Sequence, residues 1–386
     1  MRAERQNQSS GLYVHVPFCD GKCAYCAFYS VRYEPALADR YLDGLTREMK
    51  RRFREPAGFH PDTVYIGGGT PTVLSPDQWR RLCDLILRFT GHRAVREWTV
   101  EANPGSLTAS ALRRLMRAGV NRVSLGAQSL DAATLRRLGR RHTPADVRRA
   151  CAIFRREGMT NFGLDLIACV PGVTAEGWRT TLEGAMALGP RHISVYALTV
   201  EEGSRLFSLA RRREFQVLDD DEQLAMLHAA RRRLKAGGYH QYEISNFAVP
   251  GFECAHNLAC WRGMDYLGVG PAAASRVGRR HTKNQPDLRA YLRALASGKM
   301  PPAEEETVTS ETAAADDLIF GLRMAEGIDP DAIAARHGLR GHASHHRWIN
   351  RLRFLQTQKL ARLSRGAWKL TSRGLDLADA IAVELM

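Results

Sequence analysis

The chain has 386 residues, of which 44% are hydrophobic and 25% charged, a composition that excludes a disordered or fibrous protein and allows two or three globular domains. No apolar run reaches the ~20 residues that cross a bilayer, and residues 1–10 are polar, without the hydrophobic stretch of a secretory signal, so a cytoplasmic location is expected. The formal net charge of +15 is compatible with an anionic partner, but much of the excess lies in arginine runs at 211–213 and 231–233 that read as solvated helix faces. Eight cysteines are too few for a disulfide framework in a chain of this length, and a reducing compartment suits them.

In chain order, residues 11–16 form an apolar strand pattern that ends at Pro17. Cys19, Cys23 and Cys26 follow as C-x3-C-x2-C, and Asp20, Gly21 and Lys22 put the first two on a loop. Three soft thiolates on one short loop suit a [4Fe-4S] cluster with one iron open to a small ligand. Zinc also takes thiolates, but its structural sites use four protein ligands, usually as two CxxC pairs, and this chain has no second pair. Chance clustering of buried cysteines is the remaining alternative.

A helix is predicted over 37–53, then a strand over 62–66 that runs into Gly67-Gly68-Gly69-Thr70-Pro71. Ser75, Pro76 and Gln78 start a helix as N-cap, first-turn proline and capping-box partner. Strands at 97–101, 122–126, 162–167 and 193–198 alternate with helices at 109–118, from Thr143-Pro144 to Gly158, and at 175–188; a helix at 221–236 leads to a strand at 239–244. Regular β-α alternation calls for a parallel sheet with helices outside, here an α/β fold of the partial (β/α)6 TIM-like barrel type. Chemistry then belongs at the carboxyl ends of the strands, where the cysteines, the glycine run, Glu101, Gln128, Asp165 and Ala197 all fall.

The units divide into a barrel core at 11–245, an irregular connecting segment at 246–304 and a carboxyl-terminal α+β module at 305–386. Within the second, 285–306 reads as a helix followed by a Pro- and Glu-rich connection. The third combines helices with a hairpin over 360–371 that turns at Arg365-Gly366, a winged-helix-like pattern. Cys83, Cys151 and Cys169 lie in apolar periodic segments and read as core residues, whereas Cys254 and Cys260 flank His256. Glycines at 67–69 allow backbone to approach a ligand closely, or simply make a tight strand-to-helix turn. Arg140 can pair a carboxylate bidentately, and Asp165 is a charge in an apolar strand that needs a partner.

The cysteine loop after the first strand of such a barrel resembles the radical S-adenosylmethionine (SAM) superfamily. Tyr13-Val-His15-Val-Pro17-Phe-Cys19, the GGGTPT run, Val-Glu101-Ala-Asn-Pro, Ser-Leu-Gly-Ala-Gln128-Ser, Leu-Gly-Arg140-Arg-His-Thr and Leu-Asp165-Leu-Ile are similar to the oxygen-independent coproporphyrinogen III oxidase-like family over essentially the whole chain. The resemblance implies a [4Fe-4S] cluster on Cys19, Cys23 and Cys26, with SAM on its open iron and cleavage of the sulfonium to a 5′-deoxyadenosyl radical. It also implies SAM contacts from Tyr13, Phe28, Gly68, Gly69, Thr70, Glu101, Gln128, Arg140, Asp165 and Ala197.

Two features point to the haem-chaperone branch of that family. Phe28 stands where the decarboxylating enzymes carry a fourth cysteine, and only eighteen residues precede Cys19. Pro250-Gly251-Phe-Glu-Cys254-Ala-His256-Asn257-Leu-Ala-Cys260-Trp261 matches that branch's motif, except that Cys260 replaces a tyrosine. The resemblance implies haem as cargo with His256 as axial ligand, Trp261 packing on the porphyrin, and Arg276, Arg279 and Arg280 near the propionates. A histidine hydrogen-bonded in an irregular loop is the plainer reading of the same residue. Recipient respiratory haem proteins, at the membrane, are the implied partners; a dimer is open and nucleic acid is not expected. Oxidative decarboxylation of coproporphyrinogen III is the alternative function, and DNA binding by the winged-helix-like end a third.

Overall fold

The computed structural model describes residues 10–53, 59–91 and 95–386; of the flexible amino terminus expected at 1–10, residues 1–9 lie outside them. Six parallel strands pair in sequence order: β1 (Gly11–Val16), β4 (Thr63–Gly68), β5 (Glu97–Ala102), β6 (Arg122–Gln128), β7 (Phe162–Ala168) and β8 (His192–Ala197). The short β2 (Phe18–Cys19) and β3 (Val31–Arg32) pair with each other within the cysteine loop. Helices α1 (Pro35–Arg52), α2 (Pro76–Thr90), α3 (Ala109–Ala118), α5 (Pro144–Glu157) and α6 (Ala175–Ala187) make the five successive crossovers, with the short α4 (Ala132–Arg137) inserted; the short α7 (Arg205–Arg211) and α8 (Asp220–Ala236) follow β8.

Local chemistry fixes the helix ends where the sequence placed them. Ser75 and Gln78 form a reciprocal capping box at α2, and Gly91 ends it in the left-handed conformation. Thr143 and Asp146 cap α5 in the same way, and Gly158 closes it. The apolar helix faces meet the strands in one continuous core that includes Val14, Ile66, Trp98, Leu125, Leu164 and Ile193.

The connecting segment departs from the expectation. Instead of an irregular stretch, it adds β11 (Tyr266–Val269) parallel to β1 and an antiparallel meander of β12 (Ala274–Val277), β13 (Arg280–Asn284) and β14 (Ala303–Thr307). The Pro- and Glu-rich connection is therefore partly a strand, and the carboxyl-terminal module starts after Thr307. Strands this polar escape a hydrophobic-period reading because their pairing, not an apolar face, defines them. At the other edge, β10 (Asn246–Ala248) pairs antiparallel to β8 and to the two-residue β9 (His240–Gln241), all that forms of the strand expected at 239–244. Between the edges lies α9 (Ala255–Trp261), and α10 (Leu288–Ala296) packs on α1.

The module of α11 (Ser310–Leu322), α12 (Pro330–Arg336), α13 (Ala343–Thr357), α14 (Ser372–Asp376) and α15 (Ala378–Leu385) has its own core, with Leu318, Trp348, Leu352, Trp368 and Ile381. Its hairpin of β15 (Ala361–Ser364) and β16 (Ala367–Leu370) turns through Arg365 and Gly366, both at positive φ, as a type I′ turn requires. Among the described residues no helix is long and apolar enough to cross a membrane.

One buried carboxylate staples the meander to the barrel. Glu48 on α1 accepts from Arg52 Nε and Asn284 Nδ2 at 2.8 Å each, from the Gly270 amide at 2.8 Å and from the Tyr291 hydroxyl at 2.7 Å. Removing it takes the acceptor from three buried donors and from the half-buried Arg52. Glu48→Ala is expected to cost about 3–5 kcal/mol in chemical denaturation, the range for breaking a buried charge network.

Candidate functional site: the mouth and lumen of the barrel

The carboxyl ends of the strands open on a cavity of about 880 Å³. Its rim is the cysteine loop. Cys19, Cys23 and Cys26 are free, partly exposed thiols lining the cavity. Cys19 Sγ lies 3.4 Å from Thr70 Oγ1, Cys23 Sγ accepts from Arg140 Nη1 at 3.4 Å, and the Cys26 amide donates to the Cys23 carbonyl. Burial pushes the Cys26 thiol up, and the charges of Cys23 and Cys19 add to it, as they do only for near neighbours. Among the described residues no three His, Cys, Asp or Glu side chains converge on one ion. In a cubane each thiolate holds a different iron, so three separated thiolates on one loop fit a cluster.

The glycine run places β4 against this loop. A Cβ on Gly69 would stand 2.5 Å from the Phe18 carbonyl oxygen, and one on Gly67 would stand 2.8 Å from the Glu101 carboxyl. Gly68, at φ 106°, donates its amide to Glu101 Oε2 at 3.2 Å. Tyr65 donates its hydroxyl to Glu101 Oε1 at 2.9 Å. Burial, with Asp165 adding to it, nevertheless pushes the Glu101 carboxyl up to about 7. Asp165 accepts from Ser194 Oγ at 2.7 Å and from Ser124 Oγ at 3.1 Å, and burial raises its pKa against those bonds. Two buried carboxyls facing one lumen make it a place for a cation, as the sulfonium and ammonium of SAM are.

The cavity brings together the three cysteines, Phe28, Gly68, Gly69, Thr70, Glu101, Gln128, Arg140, Asp165 and Ala197. Gln128 sits at φ 63°, beside an irregularity in the β6–β7 register that turns the strand's end toward the lumen. Arg140 differs from expectation in its partners: Nη2 donates to the Gly126 carbonyl at 2.8 Å and Nη1 to Cys23, so it ties the cysteine loop to β6. Tyr13 is not on the lining; its hydroxyl meets His15 Nδ1 at 3.2 Å.

His256 is placed elsewhere. Glu97, at the start of β5, accepts from the Ala255 and His256 amides at 2.8 and 3.0 Å and from Cys254 Sγ, so α9 closes the amino-terminal floor of the barrel. The His256 ring is 6% exposed, bonded through Nδ1 to Thr63 Oγ1 at 2.9 Å and packed on Tyr65. As it stands it offers no face to a porphyrin, because the floor of a packed barrel leaves it none; only Asn257 of this motif reaches the lumen. The plainer reading, a satisfied buried histidine, matches this geometry.

Tyr65, Arg122, Ser124 and Ser194 also line the lumen, and sequence reasoning passed over them. Their signal was there: Arg122, Ser124, Gly126 and Gln128 are every second residue of β6, the period of one strand face.

With this geometry in place, comparisons identify the kin of the chain. The sequence model of the radical SAM superfamily matches residues 13–185, and that of the HemN C-terminal domain matches 308–377. "Heme chaperone HemW" of Bacillus subtilis (strain 168) is 34% identical over 329 residues, covering 84% of this chain and 86% of that protein. The same-named protein of Mycobacterium tuberculosis (strain ATCC 25618 / H37Rv) is 32% identical over 389 residues, covering 100% and 96%. The chain belongs to the HemW family. The solved coproporphyrinogen III oxidase (HemN) of Escherichia coli, a radical SAM enzyme, superimposes with a TM-score of 0.85 at 25% identity, covering 98% of this chain and 90% of that one. HemW membership carries the [4Fe-4S] cluster and SAM of the radical SAM superfamily, and the expected partial barrel with a carboxyl-terminal domain is the fold observed.

Gly69→Ala forces the glycine turn and the Phe18 carbonyl apart, since backbone cannot yield as a side-chain tip can. The variant is expected to fold with at least a threefold loss of iron and sulfide after anaerobic reconstitution, read by chemical analysis.

Proposed function

We propose that this protein is a cytoplasmic haem chaperone that binds a [4Fe-4S] cluster and SAM at the barrel mouth, takes up haem and delivers it to respiratory haem proteins. The observation that carries the reading is the pairing of a three-cysteine loop with Phe28, at the position where the decarboxylating enzymes have another cysteine, in a chain whose curated relatives bear the haem-chaperone name. Cys19, Cys23 and Cys26 hold the cluster. When bound, it supplies a one-electron donor beside the sulfonium of SAM.

The chain's own residues do the rest. Gly67, Gly68 and Gly69 bring backbone acceptors to the ammonium of SAM without Cβ bulk. Glu101 and Asp165 compensate positive charge, and Gln128 and Thr70 take polar groups. Phe28, 66% exposed at the rim, covers the ligand from solvent. Arg140 donates to the Cys23 sulfur and anchors that end of the cysteine loop. Tyr13 acts from behind the lining, through His15.

A second reading, oxidation of coproporphyrinogen III, is favoured by the superposition on HemN. Anaerobic incubation with coproporphyrinogen III, SAM and a reductant separates the two. The chaperone reading expects a haem Soret band on titration and no protoporphyrinogen; protoporphyrinogen formed catalytically would sink it.

Two further outcomes are expected. Changing any one of Cys19, Cys23 or Cys26 to Ser should remove most of the iron and sulfide that the wild type acquires on reconstitution. SAM affinity should rise from about pH 6 to about pH 8, because a cation favours ionised Glu101, and a carboxyl near 7 must first lose its proton. The slope is up to about tenfold per unit below the pKa, and Glu101→Gln should flatten it in equilibrium dialysis.

A further inference from the structure

Six residues other than glycine have positive φ among the described residues, and of these only Gln128, at 63°, lines the barrel cavity. The Ser129 amide donates across it to the Ala127 carbonyl at 2.8 Å. A bond from residue i+2 back to residue i, over a central residue of positive φ, is the rare and strained form of the γ-turn. A side-chain-bearing residue keeps such a conformation only where its surroundings hold it there. The turn interrupts the β6–β7 register between Leu125 and Gln128. It also folds the Gln128 amide back over Gly126, where Nε2 would stand 2.9 Å from a Cβ. In a regular strand the same side chain would stand beyond Gly126 instead of over it.

Two side chains from one short link reach this part of β6. The link is fixed at both ends, by Leu138 closing α4 and by the capping box of Thr143 opening α5. Arg140 Nη2 donates to the Gly126 carbonyl at 2.8 Å, and the His142 ring meets the Ala127 carbonyl through Nε2 at 3.0 Å. A carbonyl only accepts, so the ring proton is on Nε2. His142 is 5% exposed, and its Nδ1 is buried without a partner, so the Ala127 carbonyl is its one polar contact. Burial, with the Arg140 charge adding to it, pushes the imidazole down to about 4, and the ring brings no charge to the lumen near neutral pH. The Ala127 carbonyl thus accepts twice, from Ser129 within the turn and from His142 outside it.

Resting on the reading of the lumen as a SAM site, we propose that His142 is a positioning residue: its bond to the Ala127 carbonyl holds the strained turn at Gln128 and so aims the Gln128 amide at the polar groups of SAM. His142 acts through the backbone of β6 and does not touch the ligand. Arg140 does not replace it, because its guanidinium serves the carbonyl one residue earlier and Cys23. A histidine that only filled space would tolerate an apolar ring of similar size; one that holds the turn needs its donor. Glutamine places an N–H close to where histidine has Nε2, so it keeps the donor and loses the ring.

The test is equilibrium dialysis of SAM against the anaerobically reconstituted full-length protein, with iron and sulfide content and thermal melting as checks on folding. His142→Phe keeps the bulk without the donor and should weaken SAM binding about tenfold, on the scale of one lost hydrogen bond, with cluster content unchanged. His142→Gln should recover most of that loss. Gln128→Ala should weaken binding by a similar factor, and adding His142→Phe to it should cost no more than about twofold further, since the second change acts only through the first. His142→Leu takes the place of His142→Phe in these comparisons if the phenylalanine variant does not fold. Unaltered SAM binding in the donor-less variant, losses that multiply in the double variant, or no recovery with glutamine would overturn the assignment and leave the SAM site standing. If the reconstituted wild-type protein binds no SAM, the reading of the lumen falls and the positioning role with it.

Discussion

The site depends on how closely β4 can approach the loop that leaves β1. Gly69 donates its amide to the Val16 carbonyl at 2.9 Å and Thr70 donates to the Phe18 carbonyl at 2.7 Å, so the two chain segments continue their pairing beyond the sheet. That approach has no room for a Cβ at Gly69, and the same run lets Glu101 lie against Gly67. The cysteine loop is thereby fixed over the lumen on one side by β4 and on the other by Arg140, whose guanidinium bridges Cys23 and Gly126. The Leu138 carbonyl adds a backbone anchor at the Ala24 amide. A loop held at three points presents its thiols in a fixed arrangement, which a cluster bound by short bonds requires.

The lumen holds charge that a packed barrel would normally exclude. Glu101, Asp165 and Arg122 are all inside, and each carboxylate is supported by hydroxyls from neighbouring strands: Tyr65 for Glu101, and Ser124 and Ser194 for Asp165. Hydroxyl donors reduce the cost of burial without neutralising the charge. The lumen thus holds two hydroxyl-supported carboxyls together with a buried arginine whose Nη1 points at Thr99.

The motif around His256 is divided by the geometry of α9. Its first turn is capped by Glu97 and belongs to the barrel floor, where His256 bonds Thr63 and Asn257 faces the lumen. Its last residues, Cys260 and Trp261, line a groove outside the barrel and meet α11 of the carboxyl-terminal module. One short helix thus touches the lumen, the meander and the winged-helix-like module, which Arg276 also joins through Asp317.

Much of this was legible in the sequence. The spacing of Cys19, Cys23 and Cys26, the glycine run, the capping residues Ser75 and Thr143 and the hairpin turn at Arg365-Gly366 are local signals, set by side-chain type and by backbone dihedral preferences within a few residues. The β-α alternation added the barrel, and with it the end of the sheet at which the cysteines, Glu101 and Asp165 meet. What only tertiary structure decided is long-range. The polar strands β12, β13 and β14 exist because they pair with each other and are backed by Glu48, a contact more than 200 residues away in sequence. The burial of His256 depends on Thr63 and Glu97 from two other strands, and Arg140, on the lumen's lining, is engaged by Cys23 and Gly126. Spacing can say which residues are able to act; which of them face one another depends on how strands far apart in the chain come to lie side by side.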